Sequence, residues 1–177
     1  TSVMEAMTEG HVIRISYLKY TSSKAEIYTL RPYAVKEFAK RWYIIGYCLE
    51  REALRVYGLD RVHSLDILEE RFEMEKGFDV DELFATSFGI YLPEEAAKTI
   101  TFRTSATEAK YLRDLPIHSS QEEVSSDGRT VTFSIFVCPN RNLIMEVCKY
   151  GDRLEVLSPE SIRNQVASQL ISAAALY

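Results

Sequence analysis

Apolar and polar residues alternate with a period of two through most of the first half of the chain. Over residues 12–18, Ile13, Ile15 and Tyr17 alternate with Arg14 and Ser16, which predicts a strand with one buried face. Residues 27–33, 42–49, 54–59 and 62–68 continue the series, separated by polar stretches such as 21–24 and Lys40-Arg41. Five short strands with no helix between them predict a small closed or nearly closed β-barrel, because curling removes exposed sheet edges. Pro32, which has no N–H for a ladder, belongs at a strand edge or a bend.

The period changes in the second half. Asp79 and Glu82 have capping-box spacing, and Val80, Leu83 and Phe84 follow at helical intervals to a stop at Gly89. This helix and the loop through Pro93 read as a connector. Beyond it the pattern predicts a strand over 99–104, a helix over 106–115, strands over 118–125 and 130–138, a helix over 141–150, a strand over 153–157 and a closing helix. Ser105 with Glu108 and Asn140 supply N-caps, Pro116 and Gly151 supply stops, and Asp127-Gly128 turns a hairpin. Strand, helix, strand, strand, helix, strand is the order of a ferredoxin-like domain. Ser158 and Pro159 open the last helix, whose stripe of Ile162, Val166, Leu170 and Ala174 must pack on its own sheet or on a partner chain.

The chain has 177 residues, 46% of them hydrophobic, enough for one domain or two small ones with cores that need no metal or disulfide frame. Cys48, Cys138 and Cys148 are odd in number and lack CxxC spacing, which points to free thiols in a reducing compartment. No run reaches the apolar length of a membrane span and no signal-peptide pattern opens the sequence, so a cytoplasmic location is expected. Thr1 followed by helix-like Val3, Met4 and Met7 points to a chain cut from something longer. The net charge of −5 falls entirely after residue 78, whereas residues 31–61 carry seven basic and four acidic side chains. That balance argues against coating duplex DNA and leaves room for a small basic site in the first half.

Candidate chemistry is sparse. His118-Ser119-Ser120 lacks the glycine-flanked elbow of a hydrolase serine, no Gly-rich phosphate loop exists, and His11, His63 and His118 show no ligand spacing. A metal site from His118, Cys138 and Cys148 would lack the close ligand pairs that zinc centres use. No catalytic residue, metal or cofactor is expected. The segment 30–62 differs, because it interleaves Arg31, Tyr33, Lys40, Arg41, Trp42, Tyr43, Tyr47, Arg55, Tyr57 and Arg61, the mixture that stacks bases and neutralises phosphates of single-stranded nucleic acid. Alternation puts Arg41, Tyr43, Ile45 and Tyr47 on one strand face and Trp42, Ile44 and Gly46 on the other. The competing reading is that the aromatics fill the barrel and the basic residues snorkel at its rim.

Arg41-Trp42-Tyr43-Ile44, preceded by Leu30-Arg31-Pro32-Tyr33 and followed by Leu54-Arg55-Val56-Tyr57-Gly58-Leu59-Asp60-Arg61-Val62, resembles the WYL domain of bacterial transcriptional regulators. Ile44 stands where that family's naming triplet has Leu, a change of equal volume. Ile117-His118-Ser119-Ser120-Gln121, Asn142-Leu143, Tyr150-Gly151, Glu155-Val156-Leu157-Ser158-Pro159 and Tyr177 are similar to the C-terminal extension found with such domains. The resemblance implies an α+β chain. Residues 1–10 would end a linker helix from an absent N-terminal DNA-binding domain, 11–78 would form an Sm-like or SH3-like barrel, 79–98 a connector and 99–177 a ferredoxin-like extension with a terminal helix.

In function, the resemblance implies an effector-sensing, dimer-forming region rather than an enzyme. It would bind single-stranded DNA, RNA or a nucleotide-like ligand and relay occupancy to a winged helix-turn-helix, which alone would touch duplex DNA. The matched ligand-binding positions are Arg31, Tyr33, Arg41, Tyr43, Arg55 and Arg61, joined by Tyr17 and Tyr47, with Trp42 and Ile44 as structural motif. Arg61 is the foremost candidate for an anionic group, Arg41 the facing wall, and Asp60 an orienting partner. The alternatives are a stand-alone Sm-like RNA-binding module and a nucleotide-processing hydrolase or transferase, which would need a general base near Arg61.

Overall fold

A computed structural model describes residues 2–177, Ser2 by its backbone only; the first residue of the expected linker helix, Thr1, lies outside the described residues. The chain is α+β and divides between Val80 and Asp81 into two compact units, each with its own antiparallel sheet.

The first unit opens with α1 (Ser2–Glu9), followed by β1 (His11–Tyr17), β2 (Glu26–Phe38), β3 (Arg41–Cys48), β4 (Ala53–Gly58), a 3-10 turn (Leu59–Arg61) and β5 (Val62–Arg71). Its strands lie in the order β4-β3-β2-β1-β5. The alternation of β1 works as the sequence predicts: Ile13, Ile15 and Tyr17 are buried while Arg14 is exposed. With Val3 and Ala6 of α1, Tyr28, Leu30, Ile44, Cys48 and Tyr57 they form one core.

β2 runs five residues further than its sequence pattern predicts. Pro32 stands in this interior strand, and the register shifts between Pro32 and Ala34, so the bend is the alternative realised and the edge is not. Gly46 is paired with Pro32, and a Cβ there would stand 2.7 Å from the Arg31 carbonyl oxygen. Glycine at 46 therefore lets the bulged backbone approach. The β2–β3 hairpin turns through Ala39 and Lys40, at φ of +50° and +63°, without a glycine.

α2 (Val80–Phe84) starts at the boundary, and the second unit continues with β6 (Lys98–Ser105), α3 (Ala106–Asp114), β7 (Glu122–Ser126), β8 (Thr130–Val137), α4 (Arg141–Cys148), β9 (Leu154–Ser158) and α5 (Glu160–Ala174). Its sheet order is β7-β8-β6-β9. Phe102 and Phe133 stack at 5.6 Å in a core closed by Leu112, Leu143, Val147 and Ile162. The Ser105 hydroxyl accepts from Glu108 N–H and the Asn140 side chain from Leu143 N–H, as their cap positions predict.

Three expectations change. α2 stops at Phe84, five residues short of Gly89. Residues 118–121 are not strand: the Ser120 hydroxyl accepts from Phe136 N–H at 2.8 Å and donates to Phe136 O at 3.1 Å, so a side chain takes the ladder's place until β7 begins at Glu122. In α5, Ile162 and Val166 are buried but Leu170 and Ala174 are exposed, so only half of the stripe packs within the unit.

Candidate anion-binding site

Tyr17 ends β1, Tyr28 lies early in β2 and Tyr57 late in β4, all on the core face of the first sheet. Their rings meet edge-on: Tyr17 and Tyr57 centroids are 4.9 Å apart at 85°, and Tyr28 lies 5.3 Å from Tyr57. All three are buried, and burial pushes the hydroxyls of Tyr17 and Tyr57 well above the ordinary tyrosine range. Raised in this way, the Tyr17 and Tyr57 hydroxyls are held in their neutral form, able to donate and accept.

A cavity of about 370 Å³ opens beside these rings, and Lys19, Arg51, Arg55 and Arg61 line it as well. The Arg61 guanidinium stands 5.1 Å from the Tyr17 ring and 4.5 Å from that of Tyr20. Lys19 and Arg51 stand 5.6 and 5.8 Å from Tyr28. One carboxylate, Glu26, ties the floor together: it accepts from Tyr28 Oη and from Lys19 Nζ at 2.9 Å, and lies 3.7 Å from Arg51. The Tyr28 hydroxyl, then Lys19, hold its carboxyl below the usual carboxylate range. Four cations line the cavity, with Glu26 beside Lys19 and Arg51 and Asp60 beside Arg61 as counter-charges, so the lining is net positive.

Arg61 keeps one donor unused. Its Nε is buried and has no hydrogen-bond acceptor, and its nearest carboxylate oxygen, on Asp60, is 4.0 Å away. Asp60 is shared: Arg41 Nη1 lies 3.6 Å from it and donates to Tyr20 Oη at 2.9 Å. The expected pairing of Arg41 and Arg61 is therefore met in space through Tyr20 and Asp60. Asp60 lies between the two guanidinium groups, 3.6 Å from Arg41 and 4.0 Å from Arg61.

The remaining sequence candidates lie elsewhere. Arg31 and Tyr47 are register partners on the outer face of the sheet, with the guanidinium 5.7 Å from the ring, and the Arg31 Nε is also buried without an acceptor. Tyr33, at the bulge, packs against Phe72 and Phe78 at 5.9 and 5.0 Å and is buried. Tyr43 is half-buried opposite Gly58. Ile44 is fully buried, whereas Trp42, at the start of β3, is 53% exposed and lies outside the core. It lines an apolar cavity of about 600 Å³ with Val3, Leu59 and Val62.

Lys19, Tyr20, Glu26, Tyr28 and Arg51 escaped the sequence reading. The signal available was hairpin register: Tyr17 pairs with Glu26 across β1 and β2, which brings residues 19–28 beside the motif arginines. No three His, Cys, Asp or Glu side chains among the described residues are grouped to hold a metal ion. His118, Cys138 and Cys148 each bond other partners, namely Ser87 O, Glu95 O and Val166 O.

The family model for the WYL domain matches residues 1–67, and that for the WCX domain matches residues 96–174. This chain carries a WYL domain followed by a WCX domain. Protein PafB of Mycobacterium tuberculosis and of Mycobacterium bovis are each 26% identical to it over 175 residues, 95% of this chain and 50% of theirs. The WYL–WCX chain thus spans about half the length of these curated relatives. Among solved structures, a CRISPR Cas-related protein matches with a TM-score of 0.62 at 14% identity, over 99% of this chain and 50% of that one. Proteasome accessory factor B/C of Arthrobacter aurescens matches with a TM-score of 0.45 at 22% identity, over 98% of this chain and 26% of that one. No helix among the described residues is long and apolar enough to cross a membrane.

Proposed function

We propose that this WYL–WCX chain is the effector-sensing region of a bacterial transcriptional regulator, and that the tyrosine-floored cavity of its first unit receives phosphate groups of single-stranded nucleic acid or of a nucleotide. In this reading the first unit is an Sm-like barrel and the second a ferredoxin-like extension. The whole protein works in the cytoplasm as a homodimer, and occupancy biases a winged helix-turn-helix ahead of residue 1 by population shift.

The observation that carries the reading is the Nε of Arg61, buried and without a hydrogen-bond acceptor, in the lining of a cavity that also bears Lys19, Arg51 and Arg55. A guanidinium held over tyrosine rings with an unused donor suits a phosphate oxygen, which accepts a charge-assisted hydrogen bond. The Tyr17 and Tyr57 hydroxyls are pushed up by burial and Glu26 is engaged by Tyr28 and Lys19, which favours binding over catalysis.

The test is fluorescence anisotropy of labelled single-stranded DNA, the same sequence as RNA, and nucleoside mono- and diphosphates, each over a range of salt. Binding by at least one class with a falling affinity in salt is expected. Absence of binding by all of them at low salt would overturn the anionic assignment. RNA selectivity with a steep salt slope would instead favour a stand-alone RNA-binding module.

A further inference from the structure

The second unit contains a cavity whose chemistry differs from that of the first. It measures about 590 Å³ and is formed by the loop from Ser87 to Glu95 and the residues that lead into α4. Three bonds fix its walls: Cys138 N–H donates to Thr86 O at 2.7 Å, Cys138 Sγ to Glu95 O at 3.1 Å, and Asn140 Nδ2 to Phe88 O at 2.9 Å. His118 adds a fourth, donating through Nε2 to Ser87 O at 2.9 Å.

Two independent features lie in the lining of this cavity. Arg141 and Asn142 open α4, and their N–H groups lie ahead of the first intrahelical bonds, since the Asn140 cap serves Leu143 N–H and the Asn140 carbonyl serves Ile144 N–H. Ser87, only 6% exposed, lines the same cavity, and its hydroxyl has no hydrogen-bond partner. A hydroxyl shut away from solvent without a partner calls for one from outside the chain. Arg141 is exposed and adds a guanidinium to the lining. Phe88, Tyr91 and Leu92 provide an apolar wall, while Glu94 and Glu95 add negative charge that disfavours a phosphate dianion.

We propose that this cavity is a second binding site, for a small amphipathic monocarboxylate. The carboxylate accepts from the first-turn N–H groups of α4, from the Arg141 guanidinium and from the Ser87 hydroxyl, and the apolar body lies against Phe88, Tyr91 and Leu92. The site is independent of the tyrosine-floored cavity and selects against its ligands, because the acids at its wall repel polyanions.

The test is a titration of the ¹⁵N-labelled 177-residue chain, followed by amide shifts, with 3-phenylpropionate, its neutral amide 3-phenylpropionamide, and inorganic phosphate. Saturable shifts at Arg141 and Asn142 are expected with the carboxylate alone. Arg141→Gln, an exposed position, should weaken binding roughly tenfold, the loss of one charge-assisted contact. Ser87→Ala should weaken it severalfold without lowering the melting temperature. No saturable shift at these amides, an equal response to the neutral amide or to phosphate, or unchanged affinity in both variants would each overturn the proposal.

Discussion

The Arg61 guanidinium lies 5.1 Å from the ring of Tyr17, and the hydroxyl of that same ring accepts from Gly58 N–H at 3.3 Å. One buried tyrosine thereby joins the end of β1 to the end of β4 and supports the arginine that follows the turn. The link is structural at the hydroxyl and electrostatic at the ring face. Changing Tyr17 tests the fold, whereas changing Arg61 tests the site.

Arg61→Ala removes the cation but leaves the Tyr17–Gly58 bond and the three-ring floor intact. The melting temperature should stay within a few degrees of the parent. Affinity for the phosphate-bearing ligand should fall by about tenfold to a hundredfold, as expected for one charge-assisted hydrogen bond of ~1.5–3 kcal/mol. Thermal melts beside anisotropy titrations separate the two. A large loss of stability without ligand would make Arg61 a structural residue.

Glu26 acts on both charge and stability. The hydroxyl of Tyr28 and the ammonium of Lys19 hold its carboxyl below its ordinary value of 4.5, so the carboxylate is favoured in the fold. Its stabilisation is present above that ordinary value and is lost as pH falls through the depressed one. Glu26→Gln should therefore flatten the acid limb of a melting-temperature profile. At neutral pH it should also tighten anion binding severalfold, because Lys19 and Arg51 lose their competing carboxylate. Weaker binding by this variant would mean that Glu26 positions the cations more than it neutralises them.

How legible the molecule was depends on which forces acted locally. The strands around Ile13, Ile15 and Ile44 follow from alternation, and the α3 and α4 caps from single residues, because burial and capping are encoded within a few positions. The extension of β2 through Phe38 was hidden by Pro32, whose missing donor is tolerated here only because Gly46 faces it at a bulge. The loop at His118 reads as strand until Ser120 is seen to replace the ladder with its hydroxyl. At the site, Arg55 and Arg61 were legible through motif spacing. Lys19, Tyr28 and Arg51 were not, since hairpin register and a turn bring them in. Arg31 and Tyr47 share the motif's composition yet point to the other sheet face, a distinction that a count of basic and aromatic residues does not make.

Trp42 offers a direct measure of exposure. Because its ring is 53% exposed at the start of β3, Trp42→Ala should cost under about 1 kcal/mol, against the ~3–5 kcal/mol of a buried aromatic. Ile44→Ala, two residues along the same strand face and fully buried, should cost about 2–5 kcal/mol. Denaturant titrations of the two variants give the comparison. Equal losses would place the indole in the core.

Two glycines separate strain in the scaffold from strain in the site. A Cβ at Gly46 meets backbone, the Arg31 carbonyl oxygen at 2.7 Å and the Pro32 Cα at 3.3 Å, so neither neighbour can yield without moving β2. Gly46→Ala should destabilise by about 1–3 kcal/mol or more, the range of an overpacked interior. A Cβ at Gly58 instead meets side-chain ends, Asp60 Oδ1 at 2.7 Å and Arg61 Nη2 at 3.0 Å, and its backbone at φ −69° accepts alanine. Gly58→Ala should therefore leave stability nearly unchanged while displacing Asp60 and Arg61. Ligand affinity should fall with it, as read by chemical denaturation alongside anisotropy. If instead Gly58→Ala unfolds the protein as readily as Gly46→Ala, the turn around Asp60 belongs to the scaffold and Arg61 is held more rigidly than its unpaired Nε implies.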